Sequence, residues 1–379
     1  MSKYIFQKTI ISPIFIQKIE SMKNNNSNTK QHSAVIIIAS FVIILAGVMY
    51  SESMITQILM ALFISIICAQ PISWLQKKKV PQGIAVTIVF VGITVVVIGF
   101  GQLIGSSLSS FSENAPKYEE NLQEIGIAVF QFAENKGINI SPDEMMKLFD
   151  PSKVMKITAG FLGQLGGLMG NAFTIFFLVL FLLMELDSFP IKAKAIVKGS
   201  TASLAFLNTI GNSIRHYLSI KTMTSLLTGV LIWISLAIIG VDYAIIWALI
   251  AFLLNYIPNI GSIIAAIPAI LFSIIQLGFG GVIWTIIVFA AVNLIIGNIV
   301  EPKMMGKGMG LSTFVVFVSL LFWGFILGSV GMFLSVPLTM AIKIMLEQDA
   351  KTASIAIFLG TQGEAQAILD KKDRFTDNL

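Results

Sequence analysis

Two long apolar stretches in the second half of this chain are each interrupted in the middle by helix-disrupting residues. The first, residues 243–276, is broken at 255–261 (Asn-Tyr-Ile-Pro-Asn-Ile-Gly), and the second, residues 311–345, is broken at 328–331 (Gly-Ser-Val-Gly). Each stretch exceeds the roughly 20 residues that one upright helix needs to cross a bilayer. Lipid cannot satisfy the backbone groups that a break exposes, so breaks are tolerated only where protein or a water-filled cavity surrounds them. Two such breaks indicate a binding region of the kind found in transporters.

The composition places the chain among membrane proteins. Of its 379 residues, 56% are hydrophobic and 12% are charged, whereas ordinary soluble domains carry about 25% charged residues. We therefore predict an all-α, polytopic membrane protein with about eight membrane helices or hairpins. The net charge of +5 comes from lysines that flank the apolar runs, so nucleic acid is not an expected partner.

Metal centres and enzyme motifs are not expected. The single Cys68 excludes a disulfide framework within the chain, and His32 and His216 match no metal-ligand spacing. The sequence also lacks the phosphate-binding loop of nucleotide-driven pumps, the zinc-protease motif and the nucleophile elbow of hydrolases. We therefore predict no cofactor and no enzymatic activity, and an ion or solute gradient as the source of energy.

Charge and hydropathy divide the chain into five predicted regions. These are a cytoplasmic N-terminal tail (1–33), three transmembrane helices (34–105), an external helical hairpin (106–156), a transport core (157–346) and a cytoplasmic C-terminal tail (347–379). Positive residues favour the cytoplasmic side, and the lysine-rich N-terminal tail together with the lysines at 77–79 places both termini there. The external hairpin carries eight acidic residues and five lysines, a balance that the outer face permits.

Two amphipathic elements are predicted, one in the external hairpin and one within the transport core. In the external hairpin, Pro116 suits a first helical turn, and an apolar stripe with alternating steps of four and three residues follows it: Tyr118, Leu122, Ile125, Val129 and Phe132. Its partner is either the second helix of the same hairpin or the same element of another subunit. Residues 187–218 are predicted to form an amphipathic helix on the inner membrane surface.

The two broken stretches allow more than one topology. Each forms either a re-entrant hairpin or a pair of short spans, and both leave the termini on the same side. A span over residues 280–300 separates them, which gives a repeat of opposite sense like the internal symmetry of secondary transporters. For residues 311–345 a single long tilted helix is the main alternative.

Polar residues of the first break are the first candidate ligands. Asn255 and Asn259 flank Pro258, which removes a backbone donor and frees a carbonyl. Gly261 allows close backbone approach, and Pro268 lies in the returning arm. Amide side chains and freed carbonyls bind cations or small polar solutes. The alternative is that the two asparagines only cap broken helix ends.

A second group of candidates follows the next span. Asn298 and Glu301-Pro302 end this span, and intramembrane acids are functional candidates by default. The alternative is that Glu301 is an interfacial carboxylate paired with Lys303 or Lys307. The predicted binding residues are Asn255, Asn259, Asn298 and Glu301, and the predicted hinges or helix breaks are Pro258, Gly261, Pro268, Pro302, Gly306, Gly328 and Gly331.

Three segments together resemble a known family. They are residues 255–261 with Ile-Pro-Ala at 267–269, residues 298–312 (Asn-Ile-Val-Glu-Pro-Lys-Met-Met-Gly-Lys-Gly-Met-Gly-Leu-Ser), and Phe-Trp-Gly at 322–324 with residues 328–338. Their order and spacing resemble those of the autoinducer-2 exporter-like (AI-2E) family of permeases. The resemblance covers about residues 35–346, and both tails fall outside it.

The resemblance implies a homo-oligomeric permease of the bacterial inner membrane, with a pentamer as the candidate assembly. It implies export of a small polar solute such as the furanone signal autoinducer-2, or in other branches sodium/proton exchange. We therefore predict a secondary transporter of a small polar solute. The first alternative is an Na⁺(Li⁺)/H⁺ antiporter with Glu301 or Asp242 as the titrating group. The second is a non-transporting membrane scaffold whose external hairpin binds a partner.

Overall fold

A computed structural model describes most of the chain. It covers residues 42–136, 172–186, 188–196, 201–258, 260–305, 310–349 and 351–376, with isolated helical positions at 36, 39, 40, 156, 159, 160 and 163. The predicted N-terminal tail, the second helix of the external hairpin, Asn259 and Gly306 lie outside these residues. The chain divides into two compact units, residues 1–52 and 53–379, and the second contains the site described below.

Every regular element in the described residues is a helix. In chain order these are α1 (Glu52–Lys77), α2 (Gln82–Glu113), α3 (Ala115–Asn135), α4 (Ala172–Glu185), α5 (Ser188–Ile196), α6 (Thr201–Ile239), α7 (Ala244–Leu254), α8 (Gly261–Ile295), a π-helical segment (Ile296–Val300), α9 (Glu301–Met305), α10 (Thr313–Leu346), α11 (Ala353–Leu359) and α12 (Gln362–Thr376). Five helical stretches are long and apolar enough to cross a bilayer: Glu52–Lys77, Gln82–Glu113, Asn208–Ile239, Gly261–Met305 and Thr313–Leu346. The predicted all-α polytopic membrane fold is confirmed.

The first broken stretch folds into a hairpin, hereafter the first hairpin, made of α7 and residues 261–277. The Gln276 side chain joins its two open ends: its Nε2 donates to the Gly240 carbonyl at 2.9 Å, and its Oε1 accepts from the Asp242 amide at 2.7 Å. Helix α7 rises only about 16 Å, roughly half of the hydrocarbon core, so its length favours a re-entrant arm over a full span.

Helix α8 reverses direction at Gly278, which the sequence analysis did not single out. Gly278 has φ +66°, and the hydroxyl of Thr285 donates to that of Ser273 at 3.0 Å. Twelve residues of straight helix would separate the two by about 18 Å, so the segments before and after Gly278 run side by side. Pro268, a predicted helix break, instead lies inside the helix with helical backbone on both sides.

The second hairpin consists of the two arms of α10, residues 313–326 and 329–346. The backbone leaves helical geometry at Leu327 and at Gly328, whose φ is +59°. The Trp323 indole Nε1 then donates to the Thr339 hydroxyl at 3.0 Å, although a straight helix would hold these residues about 24 Å apart. The single tilted helix considered for this stretch is therefore wrong, and the break lies where the sequence predicted it.

Both hairpins depend on a glycine where their arms approach. A Cβ on Gly261 would lie 1.8 Å from the Leu254 carbonyl oxygen, and one on Gly331 would lie 1.9 Å from the Trp323 carbonyl oxygen. No side chain fits at either position without moving backbone. In both hairpins a glycine therefore allows the two arms to approach closely, as expected for related elements.

The first helix of the predicted external hairpin packs on the core of its own chain. The Tyr118 and Leu122 side chains of α3 are buried in the same cluster as Phe272 of the first hairpin, while Phe132 at the far end of the stripe is exposed. The Tyr118 hydroxyl donates to the Asp242 carboxylate at 3.1 Å. The near half of the stripe therefore has a partner that neither sequence alternative named.

The predicted surface helix before residue 218 is not separate from the span that follows. Residues 201–239 form one continuous helix, α6, and Tyr217 and Leu218 are buried against the second hairpin's core cluster. Lys221, three residues beyond the predicted surface helix, is only 4% exposed. The correction follows from packing, because a helix that continues into the bundle buries residues that a surface helix leaves in water.

Candidate functional site

A cavity of about 390 Å³ with both polar and apolar walls lies where the tip of the first hairpin meets α6, the π-helical segment and the start of α10; we call it the central cavity. Its lining residues are Lys221, Asn255, Ile257, Pro258, Ser262, Asn293, Gly297, Asn298, Glu301, Pro302, Met305, Leu311, Thr313, Val316 and Thr361. Three of the predicted binding residues are thus brought together: Asn255 from the tip of the first hairpin, Asn298 from the π-helical segment and Glu301 from α9.

The charged groups of the central cavity form one ion pair. The Lys221 Nζ lies 2.8 Å from both carboxylate oxygens of Glu301, and the two side chains are 4% and 15% exposed. Burying a charged lysine or carboxylate costs free energy unless an opposite charge compensates it. Each of these two charges therefore makes the burial of the other possible. Lys303 or Lys307 was the partner expected for an interfacial Glu301. Lys303 is exposed, Lys307 lies outside the described residues, and the observed partner comes from α6 instead.

Neutral hydrogen-bonding groups make up most of the remaining polar lining. The Asn255 Nδ2 donates to the Ser225 hydroxyl at 3.0 Å, which orients the amide at the hairpin tip. Across the cavity the Ser262 hydroxyl donates to the Asn293 Oδ1 at 2.9 Å. Amides and hydroxyls both donate and accept, so this wall suits a solute with several hydroxyl or carbonyl groups.

Asn298 owes its position to the π-helical segment. Residues 296–300 form one wide turn between α8 and α9, and such insertions occur frequently at functional sites. The turn places Gly297 and Asn298 on the cavity wall directly before Glu301. No periodicity in the sequence marks a π-helical turn, so Asn298 could be predicted as a candidate ligand but the turn that positions it could not.

Other predicted residues have different surroundings. Pro258 and Pro302 line the central cavity, whereas Gly328 and Gly331 form the reversal and close approach of the second hairpin. Asp242, the other candidate titrating group, lies at the open end of the first hairpin beside Tyr118. The length of α7, about 16 Å, separates it from the tip. The geometry thus favours Glu301 over Asp242 as the acid of the site.

Several lining residues were missed by the sequence analysis. Ser262 and Thr313 come from the starts of α8 and α10, Thr361 from the predicted C-terminal tail, and Lys221 from the interior of α6. A lysine followed within a span by Thr222, Thr224, Ser225 and Thr228 is the one signal that could have marked α6 as a polar wall. Within the described residues, no three His, Cys, Asp or Glu side chains cluster in a way that could hold a metal ion.

Comparison with known proteins agrees with the motifs. The family described as AI-2E family transporter matches residues 38–350. A putative transport protein of Haemophilus influenzae is 40% identical over 342 residues, covering 88% of this chain and 98% of that protein. The AI-2 transport protein TqsA of Escherichia coli K12 is 38% identical over 325 residues, with 86% and 94% covered. A putative transport protein of Bacillus subtilis, YrrI, is 25% identical over 305 residues, with 76% and 84% covered. The chain therefore belongs to the AI-2E family of membrane transporters, as its three motifs predicted.

Proposed function

We propose that this protein is a secondary permease for a small, polar, uncharged solute that binds in the central cavity. The observation that carries the proposal is the lining itself. Its formal charges, Lys221 and Glu301, neutralise each other, and the rest of its polar surface consists of amides and hydroxyls. A hydroxyl-rich solute can satisfy such a wall, whereas an ion of either sign finds no unpaired counter-charge there.

Autoinducer-2, a small hydroxylated furanone, is the first candidate solute. It fits the chemistry of the lining, and a relative of this chain is named as an AI-2 transport protein. The cavity volume of about 390 Å³ is within the range of small-molecule sites. Movement of the two hairpins against their surroundings would expose the cavity alternately to the two sides.

The test is efflux from proteoliposomes loaded with the solute. Asn298→Ala removes an amide from the cavity wall and should reduce the initial rate about tenfold, because a site built to hydrogen-bond its solute loses a contact that it cannot replace. Asn208→Ala, which changes an exposed asparagine of α6, is the matched control. Equal rates for the Asn298→Ala variant and the unmodified protein would refute the assignment of the cavity.

Exchange of Na⁺ or Li⁺ for protons is the second candidate function. A specific observation favours it: Glu301 is a largely buried carboxylate inside the cavity, and its partner Lys221 holds the position that a cation would take. Proteoliposomes loaded with a pH dye and pulsed with Na⁺, Li⁺ or K⁺ would show cation-driven proton flux. The same flux must disappear in Glu301→Gln. Absence of flux with all three cations would leave solute transport as the function.

The scaffold alternative has little support, because a polar cavity at membrane depth serves no purpose in a passive anchor.

We also propose that both termini face the cytoplasm, in line with the lysines at 77–79, and that the protein acts as a homo-oligomer. Thiol labelling of single cysteines at 79 and 370 from each side of the membrane tests the orientation. Native mass spectrometry tests the assembly.

A further inference from the structure

The C-terminal helices α11 and α12 are not a free tail. The Ser312 amide at the start of α10 donates to the Leu359 carbonyl at 3.1 Å, and the Thr352 hydroxyl donates to the Leu346 carbonyl at 2.8 Å. Ala356 is 1% exposed, and Leu359 packs against the core cluster of the second hairpin. This segment begins just beyond residue 350, where the family match ends.

An ion pair between a buried lysine and a partly exposed carboxylate attaches α12 to the second hairpin. The Lys343 Nζ of α10 donates to the Glu364 Oε2 at 2.8 Å and lies 3.1 Å from the Glu347 Oε1. The Lys343 side chain is 8% exposed, whereas that of Glu364 is 41% exposed. Because Glu347 also compensates Lys343, loss of the Glu364 contact does not leave a buried charge alone.

Two glycines leave room for this ion pair. A Cβ on Gly360 would lie 2.6 Å from the Glu364 Oε2, and one on Gly310 would lie 3.0 Å from the Glu364 Oε1. Gly310 has φ +67°, a conformation that favours glycine, whereas Gly360 has φ −76°, which any residue adopts. Alanine at 360 therefore needs no left-handed backbone, and its Cβ would press on the Glu364 carboxylate and lie 3.1 Å from the Ile357 carbonyl oxygen.

The same segment forms part of the cavity walls. Thr361, between α11 and α12, lines the central cavity. Glu364, one turn further on, lines a neighbouring cavity of about 280 Å³, together with Lys343 and His216. Met305 lines both cavities and stands between them. Thr361 and Glu364 thus place the start of α12 beside both cavities.

We propose that α11 and α12 form a lid on the central cavity, held closed by the ion pair between Lys343 and Glu364. The lid has to swing away before solute can pass on this side. The proposal rests on the proposed function for what passes through the cavity. The lid contact itself is a property of the fold and can be tested without any solute.

The experiment measures the accessibility of one thiol in the full-length protein in detergent. Cys68→Ala removes the native cysteine, and Ser262→Cys places a thiol on the cavity wall. The probe is a small, positively charged methanethiosulfonate, and the observable is the rate of modification. Glu364→Ala should raise this rate about fivefold, because a partly exposed charged hydrogen bond is a modest restraint on a two-state lid. Gly360→Ala, which keeps every charge, should also raise the rate of modification.

Asp370→Asn is the matched control, since it removes an exposed carboxylate from the same helix. An unchanged rate in both Glu364→Ala and Gly360→Ala would overturn the lid. So would an equal acceleration by Asp370→Asn, because the effect would then follow the charge of α12 and not its contact with Lys343. Faster labelling in a protein that moves no solute would refute the proposed function and retain the lid.

Discussion

Lys221 and Glu301 are 80 residues apart in the chain, and the lysine Nζ lies 2.8 Å from both oxygens of the carboxylate. This pair joins α6 to the helix that follows the π-helical turn. It brings two charges into a part of the protein where neither would be stable alone. The cavity is therefore polar and electrically balanced at once, and this combination favours an uncharged polar solute.

Removing one member of the pair should destabilise the protein more than removing both. Lys221→Met leaves the Glu301 carboxylate without its partner, and we expect the midpoint of thermal unfolding to fall by about 5 °C. The double variant Lys221→Met/Glu301→Met replaces the pair by apolar side chains and should recover part of that loss. Thermal unfolding in detergent, followed by intrinsic fluorescence, checks both values. Lys303→Met, at an exposed lysine, is the control, and additive losses in the double variant would contradict the coupling.

The glycines at the hairpin approaches should not tolerate a side chain. Gly331→Ala would place a Cβ 1.9 Å from the Trp323 carbonyl oxygen, so the two arms have to separate. We expect a loss of about 3 kcal/mol, at the upper end for overpacking, seen as lower thermal stability and poorer yield. Gly92→Ala in α2 meets nothing within 4 Å and should leave stability unchanged or slightly higher, because alanine is the better helix former. Similar behaviour of the two variants would mean that the arms are not packed as described.

Two buried threonines should respond in opposite ways to the same substitution. The Thr339 hydroxyl accepts the Trp323 indole hydrogen bond between the arms of the second hairpin, and Thr339→Val should cost about 1 kcal/mol. The Thr228 hydroxyl is buried in α6 and has no hydrogen-bond partner among the described residues. Thr228→Val should therefore be neutral or slightly stabilising, because it removes an unsatisfied polar group. Thermal unfolding of the two variants side by side is the measurement, and a reversed order would refute the pairing.

The features that could be predicted from the sequence, namely the helix breaks and the polar residues within spans, depend on the residues at those positions alone. Prolines and glycines marked the tip of the first hairpin and the reversal at Gly328, because these residues restrict or free the backbone wherever they occur. Asn298 and Glu301 were identified because polar groups are rare in apolar spans. These predictions needed no knowledge of which helices are neighbours.

Which helices pack against each other could not be predicted from the sequence. Lys221 resembled the other positive residues around α6, and only the packing of α6 against α9 shows that it is buried. The reversal at Gly278 lies beside Gly280 and Gly281, and nothing in the composition tells which of these glycines adopts a positive φ. The role of Thr361 depends on how α12 folds back onto α10, which a charged C-terminal sequence does not reveal.

The contact between Tyr118 and Asp242 should give the protein a measurable sensitivity to alkaline pH. Burial raises the pKa of Tyr118, and its hydrogen bonds to Tyr243 and Asp242 raise it further. In the unfolded chain the tyrosine pKa is about 10, so above that pH the unfolded state releases a proton that the folded state keeps. The stability that the neutral hydroxyl contributes is therefore complete below about pH 10 and is lost as the pH rises further.

Tyr118→Phe isolates this contribution, because it removes the ionisable group and its hydrogen bonds while keeping the ring against Phe272. Below about pH 9 the variant should be less stable than the unmodified protein by about 2 kcal/mol, since it loses a hydrogen bond to a charged group. Between about pH 10 and pH 11.5 the difference in the midpoint of thermal unfolding should shrink, because only the unmodified protein loses this contribution. Tyr50→Phe, at a tyrosine that is 95% exposed, controls for the loss of a hydroxyl alone. A difference between the Tyr118→Phe variant and the unmodified protein that stays constant up to pH 11.5 would show that Tyr118 does not bind α3 to the first hairpin through its neutral hydroxyl.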